Sequence, residues 1–160
     1  LKLYLVRHAN ALESPLGDYE RKLSEKGNVQ CVDLRSFILS KKITSKNKVL
    51  CSAAQRTKET YSNIFTTPEG VSFHKRLYLA NAMDLLDFIC SMNSDDDIVL
   101  IGHNNGLSRL ASYLTAKHIV MRTASCVEIR FPFDHSKFIS KGTGEIYSHH
   151  RCDIMDSYYF

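Results

Sequence analysis

The sequence predicts an α/β fold: three layers, αβα, around a mainly parallel central sheet, with antiparallel strand added late at one edge. Three observations lead there. Residues 3–6, 48–51 and 97–101 are short apolar runs that do not alternate, as expected of strands buried on both faces of a parallel sheet. Segments with apolar residues at helical spacing separate these runs, and strands alternating with helices imply βαβ units. Late in the chain, residues 126–133 set Val127, Ile129, Phe131 and Phe133 against Glu128 and Arg130, the pattern of a strand with one wet face near an edge.

In chain order, the first strand stops at Arg7-His8-Ala9-Asn10, and residues 11–23 form a loop containing Pro15 and Gly17. Ser24 is suited to cap a helix that runs to Lys41-Lys42, with Gly27 an irregularity in its first turn. Val29, Val32, Leu34, Phe37, Ile38 and Leu39 are its expected buried face. The basic segment 41–48 reads as a solvated loop rather than a docking patch. After the second strand, residues 53–65 form a second helix with Arg56 in its first turn, where free backbone N–H groups favour an anion. Pro68-Glu69-Gly70 makes a turn into a short strand at 71–74, and residues 77–81 connect it to a third helix at 84–92. Asp95, Asp96 and Asp97 lie in a polar turn that lacks the spaced oxygen ligands and the glycine of a calcium loop. A fourth helix at 107–115 presents Leu107, Leu110, Ala111 and Leu114 on one face; one more strand follows Gly142, and the tail through Tyr158-Tyr159-Phe160 has no assignment.

At 160 residues the chain reads as a single domain, 1–160, long enough to bury a substantial core. Hydrophobic residues at 44% and charged residues at 24% place it among globular rather than disordered chains. A net charge of +4, without a basic stripe interleaved with aromatics, excludes a nucleic-acid reading and fits an anionic ligand or an acidic partner. The five cysteines (31, 51, 90, 126 and 152) contain no CxxC pair, which argues against a disulfide framework or zinc knuckle and for a reducing compartment. Cys51, inside a core strand, reads as inert packing. No stretch reaches membrane-span length and no leader pattern precedes the first strand, so the expected location is cytoplasmic, with no membrane partner.

Function enters at the ends of the three core strands. Arg7-His8 follows the first, Ser52 and Arg56-Thr57 the second, and Gly102-His103-Asn104 the third. In open α/β sheets the ligand crevice lies at the carboxyl ends of the strands. If the three strands are neighbours, two arginines and two histidines converge there. Arginine's planar fork binds phosphate oxygens bidentately and stabilises the charge they carry during transfer. A neutral imidazole can attack phosphorus and hold the phosphoryl group covalently; a second histidine, if protonated, donates to its oxygens. The cations are side chains, so neither metal nor cofactor is needed.

These residues match a known pattern. Leu3-Tyr-Leu-Val-Arg-His-Ala9 resembles the Arg-His-Gly/Ala signature of the histidine phosphatase superfamily, which also includes the cofactor-dependent phosphoglycerate mutases. Ser52-Ala-Ala-Gln-Arg56-Thr57-Lys-Glu-Thr60 resembles its second-arginine motif, and Gly102-His103-Asn104 its second-histidine motif. Asp18-x-x-Arg21-x-Leu23-Ser24-x-x-Gly27 and Gly102-His103-Asn104-x-Gly106-Leu107 bring the chain nearest to the short SixA-type phosphohistidine phosphatase branch. The resemblance runs from residue 3 to about residue 130. It implies a phosphoglycerate mutase-like fold, His8 as nucleophile, and a phosphate pocket made by Arg7, Arg56, His103 and Arg21, with Asn10 and Asn104 as further substrate-binding residues. The implied partner is a protein bearing phosphohistidine, of the phosphorelay-carrier type in signal transduction, with phosphate or another oxyanion in the site.

The chain departs from the pattern in three places. Ala9 replaces the commoner glycine, as the branch often does. Asn105 stands where proline is usual and is expected to loosen the start of the fourth helix. No clear counterpart exists for the glutamate that many members use as general acid; Asp84, Glu13 and Asp18 are the candidates. An alkyl phosphate leaves as an alkoxide and needs a proton, whereas a phosphohistidine can leave as neutral imidazole. The missing acid therefore favours phosphoramidates or activated aryl esters. The alternatives are a broad small-molecule phosphomonoesterase of the same superfamily, a mutase, and a non-catalytic phosphate-binding module, for which a retained nucleophile has no use. A metal site built on His149-His150-x-Cys152 lacks a fourth ligand. His74, His118 and His135 follow no motif.

Overall fold

A computed structural model describes residues 1–44, 47–67 and 70–152. Ser45 and Lys46 of the basic segment, Pro68-Glu69 of the expected turn, and the Tyr158-Tyr159-Phe160 tail lie outside the described residues. The elements are β1 (Lys2–Arg7), α1 (Glu25–Ser40), β2 (Lys48–Ser52), α2 (Gln55–Ile64), β3 (Val71–His74), α3 (Ala82–Ser91), β4 (Ile98–Gly102), α4 (Gly106–Thr115), β5 (Cys126–Arg130) and β6 (Glu145–His150). They build one six-stranded sheet in the order β3-β2-β4-β1-β5-β6. The β3–β2, β2–β4 and β4–β1 pairings are parallel, and β1–β5 and β5–β6 are antiparallel. This is the expected αβα arrangement with its late antiparallel edge.

The apolar runs work as strands because both faces are covered. Leu3, Leu5, Leu50, Ile98, Leu100 and Val127 pack with Leu85, Phe88, Ile89, Leu107, Leu110 and Leu114 of α3 and α4. The intervening residues Tyr4, Val6, Val49, Cys51, Val99 and Ile101 meet Leu34, Ile38, Tyr61 and Ile64 of α1 and α2. Each fully buried leucine or isoleucine removed from water stabilises the fold by about 1.5–3 kcal/mol. β4, whose five residues are all buried, forms the middle of the parallel section. No helix among the described residues is long and apolar enough to cross a membrane.

Several expectations are corrected. The buried stripe of α1 is Gly27, Gln30, Cys31, Leu34 and Ile38, while Val29, Val32 and Leu39 are exposed. Apolar residues are spread around this helix, so spacing alone pointed to the wrong face at its first turns. Gly27 is no irregularity: a Cβ there would overlap the carbonyl oxygen of Asn10, so glycine lets α1 close onto the chain just after β1. A further correction concerns Glu128, expected on a wet face. β6 takes the edge instead, and Glu128 is buried, accepting from Arg130 Nε (2.7 Å) and Ser148 Oγ (3.2 Å) with Lys41 Nζ at 3.4 Å. Lys41, in the segment read as a solvated loop, is thereby tied to the sheet. β5 itself ends at Arg130, short of the expected Phe133, because Pro132 has no N–H to continue the ladder.

Gly106 makes a testable contact of the same kind as Gly27. A Cβ at this position would overlap the carbonyl oxygen of Ala80, which seats α4 against the segment preceding α3. On helix propensity alone Gly106→Ala would stabilise by about 1 kcal/mol. Here overpacking against backbone prevails, and a net loss of about 2–3 kcal/mol is expected, read as a lower urea midpoint with unchanged slope. A midpoint equal to or above that of the wild type contradicts the packing described.

Candidate active site

Because β4 lies between β1 and β2, the three strand ends that carry the candidate residues are adjacent. Arg7 pairs with Gly102, and the His8 N–H continues the ladder to the Gly102 carbonyl at 3.1 Å. His8 and His103 therefore leave neighbouring strands side by side, their rings 5.3 Å apart and inclined at 56°. β2 ends at Ser52, whose Oγ lies 2.7 Å from His103 Nε2. The next element, α2, carries Arg56 in its first turn. The convergence expected of Arg7, His8, Arg56 and His103 is present.

His8 is 8% exposed, and its Nδ1 lies 2.7 Å from the carbonyl oxygen of Ala9. A carbonyl can only accept, so Nδ1 carries the proton and Nε2 keeps its lone pair. Arg56 Nε–H, 3.3 Å away, donates to that lone pair. The tautomer is thus fixed from both sides by the hydrogen-bond network. Burial first, and then the charges of Arg56, Arg7 and Arg21, push the imidazole pKa down to about 4, with the Ala9 carbonyl partly offsetting them. His103 goes down to about 3, through burial first and then through His8 and Arg56. It is neutral here, so the condition for it to act as a cationic donor is not met in the free site; approach of a phosphoryl dianion would raise its affinity for a proton.

Arg56 is 2% exposed and also donates to Asp18, from Nη1 to the backbone oxygen at 2.7 Å and from Nη2 to Oδ2 at 3.1 Å. Arg7 Nη1 donates to the Met121 carbonyl at 3.0 Å. Among the described residues, Arg7 Nε and His103 Nδ1 are buried side-chain atoms without a hydrogen-bond partner. A buried polar group left unpaired costs about 1–3 kcal/mol, and two of them beside a neutral imidazole suit an oxyanion ligand.

Asp18 lies in a short 3-10 turn, Asp18–Glu20, entered through Gly17 at φ 106°. Its carboxylate accepts from the hydroxyl of Tyr78, from Arg56 and from Arg21, which together hold its pKa down to about 2 against partial burial. The rings of Tyr78 and Tyr19 meet edge to face with centroids 4.8 Å apart.

The other expected residues are placed as follows. Arg21 reaches the Leu12 and Ala11 carbonyls (2.8 and 3.2 Å) and Asp18 (3.3 Å), which fixes the loop beside the pocket. Asn10 anchors the α1 junction: its N–H donates to Gln30 Oε1 (2.8 Å) and its Oδ1 accepts from Ser24 Oγ (2.6 Å). Asn104 Oδ1 accepts from Ser108 N (3.2 Å) and Oγ (2.6 Å), so α4 is secured from Asn104 although Asn105 supplies no side-chain cap. Glu13 is almost fully exposed and ion-paired to Arg21 at 3.5 Å. Asp84 is exposed in the first turn of α3, with its N–H bonded to the capping Asn81 side chain at 2.9 Å. His149 and His150 leave opposite faces of β6, His150 bonding Asp33 at 2.7 Å. Among the described residues no three His, Cys, Asp or Glu side chains are grouped to hold a metal.

Several residues of the site were given no role from the sequence, Thr60 among them although it closes the second-arginine motif. Thr60 Oγ1 accepts from Ala9 N–H (3.0 Å) and positions the residue after His8. Gln30 is 2% exposed and holds Asn10. Its signal was available: a polar side chain in the i, i+3, i+4 stripe of α1 that also contains Gly27 and Leu34. Tyr78 stood in a connecting segment with no period and gave no signal.

The lowered pKa of His8 sets a measurable limit. A nucleophile must be unprotonated, so kcat/KM, which reports free enzyme, should stay level from pH 8 to about 5 and fall near pH 4 after correction for substrate ionisation. An acid limb near 6.5 would place the imidazole in a solvated setting unlike the one described.

No family model matches the chain. An uncharacterized chloroplastic protein of Arabidopsis thaliana is 30% identical over 139 residues; the match takes in 78% of this chain and 63% of that protein, so the chain spans less than two thirds of the relative's length. Among solved structures, SixA from Nakamurella multipartitia aligns with a TM-score of 0.83 over 95% of this chain and 96% of its own, at 16% identity. The protein histidine phosphatase SixA complexed with tungstate gives 0.77 over 93% and 96%, at 15% identity. Phosphoserine phosphatase of Entamoeba histolytica, in complex with 3-phosphoglyceric acid, gives 0.67 over 96% and 98%, also at 15%. The chain has the fold of the SixA phosphohistidine phosphatases and of the phosphoglycerate mutase-like histidine phosphatases.

Proposed function

We propose that the chain is a phosphatase of the histidine phosphatase superfamily that works without metal through a phosphoryl group carried on His8, and that its substrate is phosphohistidine in a protein. The observation that carries this reading is the state of His8: Nδ1–H is fixed on the Ala9 carbonyl, Nε2 holds a lone pair beside the Arg56 guanidinium, and unpaired polar atoms of Arg7 and His103 stand close by. An incoming phosphoryl oxygen takes over the Arg56 Nε–H and frees the lone pair. Nε2 then attacks phosphorus as the bond to the leaving group breaks. Water attacks the same phosphorus in the second step, the Nε2–P bond breaks, and inorganic phosphate leaves. Arg7, Arg56 and His103 stabilise the equatorial oxygens in both steps.

The substrate class follows from the carboxylates. Asp18 is held ionised by its three donors, Glu13 points into solvent, and Asp84 is engaged at its helix terminus. None is a proton donor poised at the reaction centre, so the rate should depend steeply on leaving-group ability. A phosphoramidate then outruns a sugar phosphate. The net charge of +4 favours an acidic carrier protein, with a second-order rate that falls as salt is added.

The experiment is a comparison of kcat/KM at equal ionic strength, with EDTA present, for a phosphohistidine carrier domain, p-nitrophenyl phosphate, phosphoserine and a sugar phosphate. The carrier is expected to be the best substrate and the alkyl phosphates slower by at least about a hundredfold. A sugar phosphate or phosphoserine ahead of the carrier favours a small-molecule phosphomonoesterase instead. Loss of activity in EDTA contradicts the metal-free mechanism.

A further inference from the structure

We infer that Tyr78 and Tyr19 form the leaving-group wall of this site and select substrates whose phosphoryl group is carried on a flat aromatic ring. This rests on the phosphatase reading above and narrows it. A line of rings leads outward from the nucleophile: His8 to His103 at 5.3 Å, His103 to Tyr78 at 5.4 Å and 84°, and Tyr78 to Tyr19 at 4.8 Å and 90°. The first two are buried and the tyrosines are only partly so. The buried phosphoryl-transfer groups therefore meet solvent along two aromatic rings set at a right angle.

Both rings are held. Tyr78 donates its hydroxyl to the Asp18 carboxylate, and its ring lies 5.9 Å from the guanidinium carbon of Arg56. Its chain neighbour Leu77 is buried, and Ala80 is locked under Gly106. Tyr19 is carried by the Asp18–Glu20 turn, which Arg56 and Arg21 fasten through Asp18. A phosphoryl group seated between His8 and Arg56 projects its leaving group past this corner. An alkyl chain gains only contact area there. A flat ring gains edge-to-face or offset-stacked contact as well, at no cost in reorganising the wall. Imidazole, the leaving group of a phosphohistidine, is such a ring.

The test separates the ring from the bond to phosphorus. 1-Phosphoimidazole and phosphoramidate both present a P–N bond, and only the first carries a ring; p-nitrophenyl phosphate and acetyl phosphate make the corresponding P–O pair. The quantity read is the ring-over-no-ring ratio of kcat/KM. It is expected to fall about tenfold in Tyr78→Leu, less in Tyr19→Leu, and to hold within about twofold in Tyr78→Phe, which keeps the ring and loses the bond to Asp18. An equal loss on both members of a pair in Tyr78→Leu, or a fallen ratio in Tyr78→Phe, overturns the wall and leaves Tyr78 acting through Asp18 and Arg56. Calorimetric binding of phenylphosphonate against methylphosphonate makes the ring-over-no-ring comparison for ground-state affinity without turnover, so it judges the wall even if the phosphatase reading fails. Equal affinity for the two phosphonates in the wild type also overturns the proposal.

Discussion

His8→Ala is expected to lose turnover by at least about four orders of magnitude on every substrate, the scale of removing a covalent nucleophile elsewhere. The side chain is buried, and its Nε2 lone pair, which accepts from Arg56 Nε–H until a phosphoryl oxygen takes that donor over, is the nucleophile of the proposed mechanism. The loss should fall on kcat rather than on ground-state binding. Arg7, Arg56 and His103 are untouched in the variant, so the affinity for inorganic phosphate or vanadate should change by less than about tenfold. Calorimetry on the variant checks this, and it also shows that the pocket is folded. A variant that keeps substantial turnover would mean that water attacks phosphorus directly.

Arg56 should give the second-largest effect. Its guanidinium serves three partners at once: His8 through Nε, and the backbone and carboxylate of Asp18 through Nη1 and Nη2. Arg56→Ala removes a transition-state donor at a site nearly closed to solvent, for which about 10²–10³ in kcat is expected. Arg56→Lys keeps the charge but not the planar fork, and kcat/KM should still fall at least about tenfold, or roughly 1.4 kcal/mol. A second readout distinguishes loss of charge from loss of fold. Burial holds the His8 pKa down and the Arg56 charge adds to it, so in Arg56→Ala the acid limb should move to higher pH while staying below the ordinary histidine value, and in Arg56→Lys it should move less. An unshifted limb together with an unchanged rate places Arg56 outside the reaction.

What the sequence disclosed and what it hid divide along physical lines. β1, β2 and β4 were legible because strands covered on both faces need continuous apolar runs, and Arg7, His8, Arg56 and His103 because they stand just past the ends of those runs. The face of α1 was not legible. Val32 is 67% exposed while Gln30 is 2% exposed, because α1 approaches the sheet through Gly27 and a hydrogen-bonding glutamine rather than through its bulkiest residues. Glu128 was misplaced for another reason: alternation within one strand does not reveal that side chains from other elements, here Lys41 after α1 and Ser148 of β6, will reach its outer face. The Asp18–Tyr78 pair joins residues 60 apart in two aperiodic segments, and only the tertiary fold brings them to Arg56.

Trapping the phosphoenzyme tests the central claim most directly. In a single turnover with enzyme in excess, quenched in alkali and digested at alkaline pH, mass spectrometry should find the phosphoryl group on the peptide containing His8. The adduct should survive alkali, be lost in acid, and appear and decay at rates that match product formation. Phosphate release with no phosphoryl group on His8 at any quench time, or with the group on another side chain, would contradict the mechanism.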